Sequence, residues 1–91
     1  MELKPPSVTA YMIAFDDQYQ EHIFPVDGKD LKAGDLLLLK AGDQVPADCK
    51  ILHGEVWITG IAYGAPQIIP ALGRVESGTA KVYVTPTDSN I

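Results

Sequence analysis

The side chains of this 91-residue chain from which a catalytic or metal site could be built are His22, His53, Cys49, Ser7, Ser77, Ser89 and scattered carboxylates. A hydrolase needs a nucleophile, a base beside it and a group to orient the base. Both histidines fall at strand ends or turns, and none of the serines has the Gly-x-Ser-x-Gly setting of a nucleophile elbow. They read as structural or surface residues. His22, His53 and Cys49 lack the paired spacing of a transition-metal site, so no metal is expected. Asp16-Asp17 reads as a hairpin turn. Asp43 and Asp48 flank Pro46 and read as acceptors for backbone amides of that turn, because a cation site wants more converging oxygens than the segment supplies. Cys49 is the single cysteine, which excludes an intramolecular disulfide. In an apolar strand it reads as a buried thiol packing like a small hydrophobe.

The elements that must position these residues fit one small domain, residues 1–91. Hydrophobic residues make up 46% of the chain, enough for a single core. Net charge is −5, with seven basic residues among twelve acidic ones. No basic stripe suits nucleic acid or an anionic membrane surface. The start Met1-Glu2-Leu3-Lys4-Pro5-Pro6 is unlike a signal peptide. No run approaches the ~20 apolar residues of a membrane helix.

Residues 8–15 are rich in β-branched and aromatic types and read as a strand, with residues 19–26 as its hairpin partner and Pro25 as an edge signal. Asp27-Gly28 is a turn. Residues 36–40 read as a short strand apolar enough to be buried on both faces. Residues 49–52 form the next, His53-Gly54 a turn, and residues 55–59 another strand. Residues 60–73, with three glycines and two prolines, read as an irregular exposed loop. Residues 74–75 and 80–85 complete the strands. No 3.6-residue period marks a helix. The class is all-β: short antiparallel strands at this spacing imply a small β-sandwich or barrel.

The most specific string is residues 31–52. An apolar run is bracketed by two near-copies of one turn, Lys32-Ala33-Gly34-Asp35 and Lys40-Ala41-Gly42-Asp43, and then comes Val45-Pro46-Ala47-Asp48 before the next strand. The two copies read as one turn chemistry used twice rather than a repeat architecture. In this order the string resembles the actuator domain of P-type ATPases, ion pumps that cycle through an aspartyl-phosphate. Ser77-Gly78-Thr79 resembles that family's late "SGT" step. The resemblance spans most of the chain, with Gly34, Asp35, Gly42, Asp43, Pro46, Ala47, Asp48, Gly78 and Thr79 as its structural motif. Its Pro-Ala-Asp wording is closer to proton or calcium pumps than to heavy-metal pumps.

The resemblance implies a small distorted jelly roll, consistent with the strands above, and the cytosolic domain of a multi-pass membrane pump, itself not inserted in the membrane. Its partners would be the phosphorylation and nucleotide-binding domains of the same parent chain. ATP and Mg would belong to that parent, with no cofactor and no catalysis in this segment. The ending Thr87-Asp88-Ser89-Asn90-Ile91 reads as the N-cap of a helix that continues beyond it. The family's Thr-Gly-Glu-Ser loop, whose Glu helps position the hydrolytic water, is matched only in part. Thr59-Gly60 stands as its first half, with Ile61 and Ala62 where Glu and Ser belong; otherwise Gly64-Ala65-Pro66 aligns with a later step of the family loop. Neither alignment supplies a carboxylate, and a plain strand end with a Gly turn is the competing reading of Thr59-Gly60. Tyr63, Pro66 and Ile68, with Trp57 nearby, are expected to form a docking loop. A different class of reading is a free-standing β module that binds a protein partner.

Overall fold

In the computed structural model, which describes residues 8–86, alternating apolar positions become strands of one antiparallel sheet. The strands are β1 (Thr9–Phe15), β2 (Glu21–Asp27), β3 (Leu36–Lys40), β4 (Cys49–Ile58), β5 (Ile61–Gly64), β6 (Ile68–Ile69) and β7 (Val75–Val84). The order is β2-β1-β3-β7-β4-β5, with β6 on β4, and the sheet is not closed. This is the expected all-β class, folded as a small sandwich-like unit. The ending at residues 87–91 and its expected N-cap lie outside the described residues, as do Ser7 and Ser89.

The core is a set of rows running across the strands. Leu37, Val82 and Ile51 face one another on β3, β7 and β4, and all three are fully buried. Val45, Cys49, Val56, Ile69 and Val75 extend the same cluster. Burying one such aliphatic side chain contributes about 1.5–3 kcal/mol. No polar side chain is buried among the described residues. In β3 only Leu37 and Leu39 reach the core; Leu36 and Leu38 are half-buried, which corrects the expectation of burial on both faces.

Two strands are longer than the sequence pattern suggests. His53-Gly54 is not a turn: β4 runs straight through it. β7 likewise begins at Val75 and includes Gly78. The pattern breaks because each strand carries a bulge. Ile51 and His53 pair with the consecutive residues Val82 and Lys81, leaving Leu52 extra on β4. Trp57 and Ile58 pair with Ser77 and Val75, leaving Glu76 extra on β7. One extra residue reverses which alternate positions face inward. Cys49 and Ile51 therefore point to the core before the bulge, and Val56 and Ile58 after it.

Gly54 and Gly78 lie on the inward face between these bulges, with φ of +97° and +93°. A Cβ on Gly78 would sit 2.2 Å from the Glu55 carbonyl oxygen, and one on Gly54 2.3 Å from that of Thr79. The two backbones pass too closely for any side chain.

The two Lys-Ala-Gly-Asp turns adopt one geometry at the two ends of β3. Asp35 and Asp43 accept the amides of Lys32 (2.8 Å) and Lys40 (3.0 Å), and Gly34 and Gly42 both have φ of +93°. Each turn holds one end of β7 by a reciprocal pair: Gly34 and Asp35 with Val84, Gly42 and Asp43 with Val75. Across the outer face, the Lys81 ammonium on β7 pairs with the Glu21 carboxylate on β2, spanning β1 and β3. The β2 edge is blunted. Gly28 N–H bonds the Val8 carbonyl and Asp16 N–H that of Gln20, so antiparallel alternation turns position 25 outward. Proline there removes an exposed donor.

Gly78→Ala is expected to cost at least about 3 kcal/mol, from backbone overlap added to an unfavourable φ. Gly34→Ala, with open space around it, should cost about 1–2 kcal/mol. Urea unfolding of both variants checks the order; equal costs would remove the close approach as the cause.

Candidate functional site

The residues singled out by motif fall into two groups. Gly34, Asp35, Gly42, Asp43, Pro46, Ala47 and Asp48 brace the sheet. The Asp48 carboxylate accepts the Ala71 amide at 2.8 Å, while its carbonyl accepts both the amide and the hydroxyl of Thr85 at 3.0 Å. This one residue therefore ties the β3–β4 connection to the segment before β7 and the segment after it. Thr79 lies on the outer face of β7 opposite Glu55, one residue beyond the close-packed Gly78.

The second group forms the tip of the β4–β5 hairpin. Ile58 pairs with Ile61, so Thr59-Gly60 is a two-residue hairpin loop. Both have positive φ, +51° and +75°, the geometry of a type I′ turn. Gly suits its position; Thr59 does not, because a β-branched residue in the left-handed region is strained by about 1–3 kcal/mol. The turn places Ile61 on the same face as Ile58 and more than half-exposed. Ala62 faces outward beside Trp57, which is 43% exposed. Leu72, two residues before Arg74, also has positive φ (+72°) and is 67% exposed. Its neighbour Gly73 packs on Ile58, with space for a Cβ only 3.1 Å from the Ile58 Cγ2 methyl.

The expected irregular loop over residues 60–73 is corrected here. Residues 61–64 pair with β4, and Ile68–Ile69 pair with Lys50 and Cys49. Ile69 is fully buried and Tyr63 packs half-buried on the core, whereas Pro66 and Ile68 are exposed. Glycine and proline at this density suggested disorder of pattern, but each short strand needs only a few paired residues of the long β4. The exposed apolar side chains near the tip are thus Trp57, Ile61 and Leu72; Ile68 is exposed too but pairs with Lys50 at the other end of β4, and Tyr63 is half-buried.

Sequence reasoning missed one residue. The Glu76 carboxylate accepts the Gly60 amide at 3.0 Å, so an acidic group does stand at the tip, contributed by β7. No spacing rule could have found it, since the residues are sixteen apart and joined by a bulge.

Asp16, His22 and Cys49 are each engaged by groups close to them in the chain. Asp16 accepts the amides of Gln18 and Gln20 and pairs with His22 Nε2 at 2.8 Å, all at the β1–β2 turn. The His22 contact and then those amides hold its pKa below the usual value. Burial, and then the charge of Asp48, push the Cys49 thiol up to about 12. It donates to the Ala47 carbonyl at 3.1 Å. No cluster of His, Cys, Asp or Glu able to hold a metal occurs among the described residues, nor a helix long and apolar enough to cross a membrane.

A family model described as the P-type ATPase actuator domain matches residues 2–90. Among solved structures, a zinc-transporting PIB-type ATPase in its E2.Pi state has a similar fold, with a TM-score of 0.64 and 20% identity. The match covers 93% of this chain and 14% of that one. No curated protein matches.

Two expectations follow. Thr59→Asn, which suits a type I′ turn, should raise stability by about 1 kcal/mol, or roughly 4–8 °C in Tm by calorimetry. Cys49 keeps its proton when folded where the unfolded chain, at 9.0, loses it. Its contribution is therefore complete below pH 9 and lost as pH rises from 9 toward 12. Denaturant midpoints measured over pH 8–11 should fall less in Cys49→Ala than in the parent sequence.

Proposed function

The chain belongs to the P-type ATPase actuator-domain family, and on that premise we propose that it serves as the actuator of a cation-transporting pump. In this reading it sits on the cytosolic face of a membrane, attached to helices of a longer parent chain. It couples turnover of the parent's phosphoenzyme to movement of those helices. It performs no catalysis alone; ATP and Mg act at the parent's phosphorylation and nucleotide-binding domains, which are its partners. The observation that carries the reading is the family match over residues 2–90. The paired length of β4 and β7 supports it, because a domain that transmits motion must rotate as a stiff body.

Residues 59–70 contain no Asp or Glu. An isoleucine at position 61 cannot orient water or accept a proton, so the loop itself contributes no acid to phosphoenzyme breakdown. It remains a docking surface, with Trp57 and Ile61 exposed at the tip and Pro66 and Ile68 exposed further along, between β5 and the end of β6.

An antibody to this segment, used on membrane and soluble fractions, tests the reading. A membrane-bound band several times larger than 9.8 kDa is expected. A soluble band near that mass would end the pump reading in favour of a free-standing binding module. In the full-length pump, Ile61→Glu should speed decay of the phosphorylated intermediate by roughly 100-fold or more, the scale of one general acid–base group. An unchanged rate would show that position 61 does not occupy the catalytic place in the loop.

A further inference from the structure

We propose that Glu76 is the positioning residue of the β4–β5 tip, setting the Thr59-Gly60 turn from the neighbouring strand β7. The inference goes beyond the pump reading and rests on it only for treating the tip as the working part.

Three features converge. Glu76 is the extra residue of the β7 bulge, unpaired in the ladder between Val75 and Ser77. Bulges re-aim a side chain, and this one leaves the Glu76 carboxylate on the Gly60 amide at 3.0 Å. Its acceptor role falls at a turn whose other residue, Thr59, holds φ of +51° against its own preference. Such a conformation persists only where the surroundings over-determine it. Pairing of Ile58 with Ile61 closes the turn from inside, and the Glu76 bond holds it from outside. The tip is then shaped by three strands, β4, β5 and β7, and Ile61 is presented in a fixed direction.

Alternative roles are poorer fits. The carboxylate is exposed and makes no ion pair among the described residues, so it is not a partner for a buried charge. A bulge serving only to bend β7 would accept any polar residue at this position.

Amide NMR and hydrogen exchange on the 91-residue chain test this. Glu76→Ala should move the Gly60 amide resonance and speed its exchange roughly three- to tenfold, the worth of one exposed hydrogen bond. Glu76→Gln keeps an acceptor oxygen at the same reach and should restore most of the protection. Glu76→Asp, one methylene shorter, should not. In the parent sequence the Gly60 amide shift should follow the Glu76 carboxyl resonance through a pH titration, a response that bulk destabilisation would not produce. Equal exchange at Gly60 in the parent sequence and both the Ala and Gln variants would overturn the proposal. So would a Gly60 shift independent of the Glu76 titration, a readout that holds even if Glu76→Ala fails to fold. None of these outcomes depends on the size of the endogenous protein, so failure here is distinct from failure of the pump reading.

Discussion

The close passage of β4 and β7 at Gly54 and Gly78 is the contact on which the other elements depend. These are the two longest strands, and they pair almost end to end. A long flat pair would expose both faces and bury little. Two inward glycines with a bulge on each side let the pair bend, so that both ends turn apolar residues toward one core. Val75 and Val84 are buried at opposite ends of β7 for this reason. Remove the close approach and Ile51, Val56, Val75 and Val82 no longer share an interior.

Around that bend, carboxylates and glycines replace the hydrogen bonds that regular ladders leave unmade. Asp35 and Asp43 close matching turns at the ends of β3, and each turn grips one end of β7. Asp48 reaches to the Ala71 amide and receives Thr85 on its carbonyl. A sheet with so many short strands has many strand ends, and every end has amides needing acceptors. The acidic side chains of Asp16, Asp27, Asp35, Asp43, Asp48 and Glu76 thus serve the backbone as acceptors. No side-chain polar atom is left buried without a partner among the described residues.

Backbone strain is confined to a few positions. Most of the chain uses residues suited to their backbone: glycine at the positive-φ turns, proline on the exposed edge of β2, aliphatics in the rows. Tyr19, Thr59 and Leu72 do not suit theirs: Thr59 and Leu72 lie close to Ile58, and Tyr19, with φ of +63°, lies in the β1–β2 turn. Each is a local cost that the surrounding hydrogen bonds and packing must over-determine. The exposed Trp57, Ile61 and Leu72 give the Ile58 end an apolar character.

The all-β class, the β1–β2 hairpin, β3, the turns at Gly34 and Gly42 and the family resemblance were legible in residues 8–52, because local chemistry decides them. Asp and Gly make turns from nearby backbone, and alternation of apolar residues needs no distant partner. The halves of β4 and β7 were legible only as separate short strands. A bulge shifts the alternation by one residue, and nothing local distinguishes a shifted strand from an ended one. Residues 60–73 looked irregular because β5 and β6 take their order from β4, across the sheet rather than along the chain. The carboxylate at the tip was out of reach altogether. Spacing along the chain carries no record of Glu76 meeting Gly60, since their distance is set by a bulge and a strand register, and register is decided only when the core closes.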